Sequence, residues 1–179
     1  MRNLFALVAL SLLAGCVPSV APPPRAPQPR YVPPPAPTPA PAPAPARESD
    51  WRDWPLTPGV WTDHQDARGG LSVFGVAGQD AVFSMRCDTA RHQLYLSRAG
   101  TAAGDPPMTI VTTSMTRALP SLPTGGTPPY MASALAPQDG LLDAMGYSRG
   151  RFVVEQAGMP TLVIPAWPEI ERVTEDCRK

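Results

Sequence analysis

The sequence has no excess of charge of either sign, since 15 basic residues balance 15 acidic ones. A nucleic-acid-binding domain ordinarily carries a strongly basic surface that neutralises phosphates, so the balance argues against that class. There is no Gly-Lys-Ser or Gly-Lys-Thr to cradle a phosphate, and no glycine fingerprint leads from a strand into a helix. Nucleotide-dependent enzymes drop out on that ground. No apolar run approaches the roughly 20 residues that a membrane-spanning helix needs. Histidine is confined to His64 and His92, and cysteine to Cys16, Cys87 and Cys177. Proline is what the chain has in abundance, with 14 of its 26 prolines before residue 51. The chain therefore divides into a short leader, 1–15, a proline-rich tether, 16–50, and a segment, 51–179, that must supply any core. A segment of that size buries roughly two thirds of its unfolded surface, enough for one core and not for two.

The leader starts with Arg2 and continues as an apolar run from Leu4 to Leu13 broken only by Ser11, the pattern of an export signal. It ends in Leu13-Ala14-Gly15-Cys16, which resembles the lipobox of bacterial lipoproteins. The resemblance implies that Cys16 becomes the lipidated N-terminus. Val17 stands where an aspartate would signal inner-membrane retention, so it further implies attachment to the periplasmic face of the outer membrane. An ordinary signal peptide with an incidental cysteine is the plainer alternative.

From Val17 to Asp50 the chain holds 14 prolines and 7 alanines in 34 residues and almost nothing that could form a core. Such a segment is expected to sample extended polyproline II, with a reach on the order of 100 Å at about 3.1 Å per residue. A passive spacer accounts for it; a ligand role would need a partner with an aromatic-lined groove.

With Cys16 lipidated, Cys87 and Cys177 remain as a pair, and in an oxidising compartment they are expected to form a disulfide. The pattern after residue 58 has mostly period two. Ala81, Phe83, Met85 and Cys87 alternate with Val82, Ser84, Arg86 and Asp88, which sets Cys87 on the inward face of a strand. Further strands are expected at Val60 to His64, Leu71 to Val76, Gln93 to Arg98, Met108 to Met115, Arg151 to Gln156 and Thr161 to Ile164. Asp139 is placed to cap a short helix that stops at Gly146. Pro168 opens a terminal helix whose buried stripe is Ile170, Val173 and Cys177. The expected fold is mainly β: an antiparallel sandwich or partly closed barrel, with a C-terminal helix that the disulfide fastens to a central strand.

The run Arg149-Gly150-Arg151-Phe152-Val153-Val154-Glu155, with Leu162 to Val173 and Glu175-Asp176-Cys177-Arg178, resembles uncharacterised lipoproteins and periplasmic proteins of alphaproteobacteria. The likeness covers roughly residues 55–179. A strand cysteine paired with a cysteine after the last strand and helix is similar in architecture to β-sandwich modules of the invasion-associated locus B type. That second likeness implies a fold and brings no catalytic residues with it.

Several constellations admit two readings. Gly146-Tyr147-Ser148-Arg149-Gly150 matches the G-x-S-x-G pattern of serine hydrolases. Here, however, a helix precedes and a strand follows the motif, and both histidines lie upstream, so the glycines read equally as a helix stop and the start of a strand. Asp63, His64 and Asp66, or Cys87, Asp88 and His92, could be drawn as metal half-sites, but neither has the paired spacing of zinc modules. Trp51, Trp54 and Trp61 suit either a sugar-stacking platform or the closed end of a sandwich. Residues 116–138 read as a long irregular connection and are the first candidate for a partner contact, through Tyr130 and Met131. Arg149 and Arg151 are expected beside it.

The resulting expectation is a noncatalytic, membrane-anchored periplasmic domain with no cofactor, no metal and no catalytic residue, which binds an envelope protein or peptidoglycan. An inhibitor of a lytic enzyme such as lysozyme is the alternative, with the Ser148 to Phe152 loop offering an arginine to a catalytic carboxylate, and a serine hydrolase is a second. The address is testable. Cys16→Ala should leave an unprocessed or mislocalised chain on membrane fractionation, and unchanged attachment would refute the lipobox assignment.

Overall fold

In the computed structural model, residues 50–179 are described. The leader, Cys16 and the proline-rich tether lie outside them. The described chain opens with a 3-10 turn at Trp51–Asp53. It then forms β1 (Val60–Asp66), β2 (Gly69–Gly75), β3 (Phe83–Asp88), β4 (Gln93–Ala99), β5 (Met108–Val111), β6 (Thr116–Leu119), β7 (Leu122–Pro123) and β8 (Tyr130–Leu135). After these come α1 (Gly140–Gly146), β9 (Arg151–Glu155), β10 (Leu162–Pro165) and α2 (Pro168–Arg178). No helix among the described residues is long and apolar enough to cross a membrane.

The strands make two antiparallel sheets, one ordered β1-β2-β3-β4-β8-β7 and the other β10-β9-β5-β6. Alternation decides what each strand buries. Phe83, Met85 and Cys87 on β3, and Leu94 and Leu96 on β4, point inward from the large sheet to meet Ile110, Phe152, Val154 and Ile164 from the small one. Phe83 and Phe152 meet edge to face across the sheets, with ring centroids 5.9 Å apart. Each such side chain removed from water stabilises the fold by roughly 1.5–3 kcal/mol. Trp61 extends the contact. Its ring lies against Phe74 and Phe83, and its Nε1 donates to the Pro165 carbonyl at 2.9 Å, joining β1 to β10. Trp61 is therefore core, in line with the closed-end reading of the tryptophans.

The small sheet does not cover the whole inward face of the large one. Helix α2 lies against β2 and β3, and Ile170, Val173 and Cys177 form its buried side. Cys87 and Cys177 are bonded, with Cα atoms 5.3 Å apart. Helix α1 starts as expected, with the Asp139 carboxylate accepting from the Leu141 N–H at 2.9 Å and Leu141, Leu142 and Met145 buried. Arg178 joins the two helices. Its Nη2 reaches Asp143 at 2.7 Å, and its Nε donates to the Pro137 carbonyl at 2.9 Å.

Two expectations are corrected. The strand from Met108 stops at Val111 because the Thr112 hydroxyl closes a tight turn. Its Oγ1 accepts from the Met115 N–H at 3.0 Å and donates to the Met115 carbonyl at 2.9 Å. The chain then reverses into β6, which pairs with β5 from Met108↔Leu119 to Val111↔Thr116. Residues 116–138 are also no long irregular connection. They contain β6, β7 and β8, and β8 pairs with β4 along its whole length. Proline sits there on the two-residue edge strand β7, where its missing N–H breaks no central ladder.

The bridge spans 90 residues of sequence, so removing it frees the unfolded chain considerably. Replacing Cys87 and Cys177 together with alanine is expected to lower unfolding stability by about 2–5 kcal/mol, read as a shift in urea midpoint. A midpoint equal to that of the oxidised wild type would contradict the role given to the bridge.

Candidate functional site

The outward face of the large sheet is built from small residues. The register aligns Ser84 with Ser97 and Ser97 with Ala132. Ala132 in turn faces Leu122 on β7. The next row runs Arg86, Tyr95, Ala134. Low side chains in the middle and taller ones around them leave a groove of 610 Å³. Pro120, Leu122 and Pro123 form its wall, and Arg68 and Arg86 line it as cations. Leu122 is 65% exposed, more than a structural leucine requires.

The two arginines are held in place. Arg86 Nη1 contacts the Asp66 carboxylate at 2.7 Å, and the Arg68 main-chain N–H donates to the other Asp66 oxygen at 2.9 Å. The Asp66 pKa lies below the usual carboxylate value, first because of the Arg68 N–H and then because of Arg86. Arg68 and Arg91 share Asp88, at 2.9 and 2.8 Å. Asp88 is 1% exposed although its partners are mostly solvated. Its pKa is brought down to about 2, chiefly by the Arg68 hydrogen bond; burial opposes this and Arg91 adds to it. Guanidinium groups clamped in this way retain further N–H donors for an incoming carboxylate or phosphate.

The structure separates the residues expected to contact a partner. Met131 faces inward and is 1% exposed, so it offers no surface. Tyr130 is half-buried, and its hydroxyl donates to the Ala81 carbonyl at 2.6 Å. Arg151 donates from Nη1 to the Trp54 carbonyl, tying the segment before β1 to β9. Of the four, only Arg149 is exposed, on the turn between α1 and β9. The burial of Met131 and the Arg151 contact with Trp54 are not legible in the sequence, because the strand that carries one and the carbonyl that engages the other are set by distant parts of the chain.

Ser148 is 4% exposed. Its Oγ donates to the Arg151 carbonyl at 2.5 Å and accepts from the Thr113 N–H at 3.2 Å. Both partners are main-chain groups, so the hydroxyl is used in pinning the turn between α1 and β9. Gly146 ends α1, where a side chain would collide with Glu171, and Gly150 takes a φ of 79° just before β9. The pentapeptide thus has the helix-stop and strand-start geometry.

The carboxylates of the drawn metal half-sites also have partners. Asp63 forms an ion pair with Arg172 and accepts from Ser72 Oγ at 2.6 Å. Asp66 and Asp88 are in the arginine clamps, and Cys87 is in the disulfide. Asp63, Ser72 and Arg172 line a smaller pocket of 220 Å³ beside α2, with His64 and Asp176 on its wall.

No protein-family model, curated protein or solved structure matches the chain.

Acid should weaken the Asp88 clamp in a defined window. The folded pKa lies below the ordinary 3.8, so the stability it contributes is complete above about pH 4 and is lost as pH falls through about 2. The stability difference between wild type and Asp88→Asn, followed by thermal unfolding, is expected to stay constant at higher pH and to close in that acid range. A difference that closes near neutrality would mean that another group carries the linkage.

Proposed function

We propose that the chain is a noncatalytic recognition module, anchored through a lipid on Cys16 to the periplasmic face of the outer membrane. On this reading it captures a partner of the cell envelope in the groove on its large sheet. One observation carries the reading: the groove combines a low apolar floor, an exposed Leu122 and two positioned arginines on an otherwise well-packed domain. Apolar floor with positive charge suits an extended segment that bears carboxylates, whether an acidic stretch of an envelope protein or a peptidoglycan stem peptide. A proline-rich tether would supply reach and raise the local concentration of the domain near such partners. The lytic-enzyme-inhibitor alternative is left with Arg149 alone, since Arg151 is engaged by the Trp54 carbonyl.

Site-specific photocrosslinking in intact envelopes tests the groove. A photoreactive residue at position 134 should give a discrete adduct, whereas one at position 109, on the small sheet, should not. Leu122→Asp should cut the yield at position 134 about tenfold, the equivalent of ~1.4 kcal/mol of binding. Equal yields from both faces would sink the assignment of the groove.

A further inference from the structure

The groove on the large sheet is chemically unequal along its length. Side chains on one face of a strand recur at every second residue, so the two rows that floor the groove lie about 7 Å apart. One row is Arg86, Tyr95 and Ala134. The other is Ser97, Ala132 and Leu122, and it holds no charge. One row further toward the β1–β2 turn, Asp88 pairs with Gln93, and Arg68 reaches Asp88 from that turn at 2.9 Å. Both cations that line the groove therefore stand at one end of it, with uncharged residues at the other.

The charge at the cationic end is small. Arg68, Arg86 and Arg91 are joined to Asp66 and Asp88 in the clamps, three cations against two carboxylates. Both carboxyl groups have lowered pKa values, so both are ionised at neutral pH and the cluster keeps a net charge of one. Its guanidinium groups also keep hydrogens to give. Each has five N–H donors; Arg86 commits Nη1 to Asp66 and the Gly69 carbonyl, and Arg68 commits Nη2 to Asp88. The Arg68 side chain is 58% exposed, and the groove of 610 Å³ lies open beside it. An occupant has both access and room.

We propose that the groove takes the free carboxyl terminus of an envelope protein, an extended tail that ends in small apolar residues. The proposal rests on the capture of a partner in this groove and narrows what that partner is. A terminal carboxylate brings one negative charge and carries it at one end of the ligand, which matches both the size and the position of the positive charge. Alternate residues of an extended chain have the spacing of the two rows. With the carboxylate at Arg86 and Arg68, the preceding small side chains lie over Ser97 and Ala132, beside the exposed Leu122. An internal acidic stretch fits less well. Its further carboxylates would fall over Ser97, Ala132 and Leu122, where no cation offsets their loss of water. A wall stem peptide, with carboxylates along its length as well as at its end, is disfavoured for the same reason.

Fluorescence polarisation on the full-length protein in detergent tests this, with a dye-labelled Gly-Ser-Gly-Ala-Ala-Ala peptide as probe. The free acid is expected to bind at least about tenfold tighter than the same peptide ending in an amide, which cannot accept a charge-assisted bond. An amidated peptide with three consecutive internal glutamates should bind no better than the alanine amide. Arg86→Gln should remove the difference between acid and amide. Ala132→Leu raises the floor without touching the clamps and should weaken the acid about tenfold; it carries the test if Arg86→Gln does not fold. Equal affinity for acid and amide, tighter binding of the glutamate peptide or of a soluble muropeptide, or undiminished acid binding in Ala132→Leu would each overturn the proposal. If a photocrosslinked adduct still forms at position 134 in that case, capture in the groove stands and only the carboxyl terminus is wrong. Absence of that adduct would overturn capture in the groove, and this proposal with it.

Discussion

The bond between Cys87 and Cys177 ties a central strand to the last helix, and the closure of the sandwich depends on it. The large sheet has six strands and the small one four, so part of the large sheet's inward face would lie open at the Cys87 end. Helix α2 covers that end, and α1 is held to α2 through Arg178. The bridge therefore does more than shorten the unfolded chain. It determines which surface serves as the second layer over β2 and β3, and so where water is excluded.

With the inward face covered, the outward face of the large sheet is free for another use. Its residues are the alternates of the core residues: Ser84, Ser97, Ala132 and Ala134, each next to a large buried neighbour. Small side chains on the middle strands and the return of the chain through Pro120–Thr124 produce a hollow instead of a flat surface. Proline serves the same strand in a second way, because Pro123 ends the edge with no N–H to offer a neighbouring sheet. The Asp66 and Asp88 clamps then orient arginines that would otherwise sweep through solvent.

Polar groups at the opposite end of the interior follow a different logic. Ser121 Oγ and Gln156 Nε2 are bonded to the Pro106 carbonyl and to each other, whereas Gln156 Oε1 has no donor and Arg98 is held by a single carbonyl. A core otherwise packed from Phe, Leu, Ile, Val and Met thus keeps one guanidinium incompletely solvated by protein.

Period-two alternation made the strands on either side of Cys87 and in the last hairpin legible in the sequence. Asp139 and Pro168 marked the helix starts, because capping and the fixed proline φ act within one turn of chain. The pairing of Cys87 with Cys177 followed from the number of cysteines and the expected compartment. The turn at Thr112 was not legible, since a threonine hydroxyl closing a turn looks, in sequence, like one more β-branched strand residue. Strand β8 was missed because Tyr-Met-Ala-Ser-Ala-Leu carries little β propensity of its own and is a strand only because β4 pairs with it. The roles of Arg98, Arg151 and Ser148 were hidden for the same reason. Each depends on a main-chain group of a distant segment: the Pro160 carbonyl, the Trp54 carbonyl and the Thr113 N–H. The sequence by itself determined which faces are apolar, where helices begin and which cysteines remain to pair. Only the tertiary structure decided which polar side chains find partners, because a partner is a matter of distance and orientation between segments whose local patterns carry no record of each other.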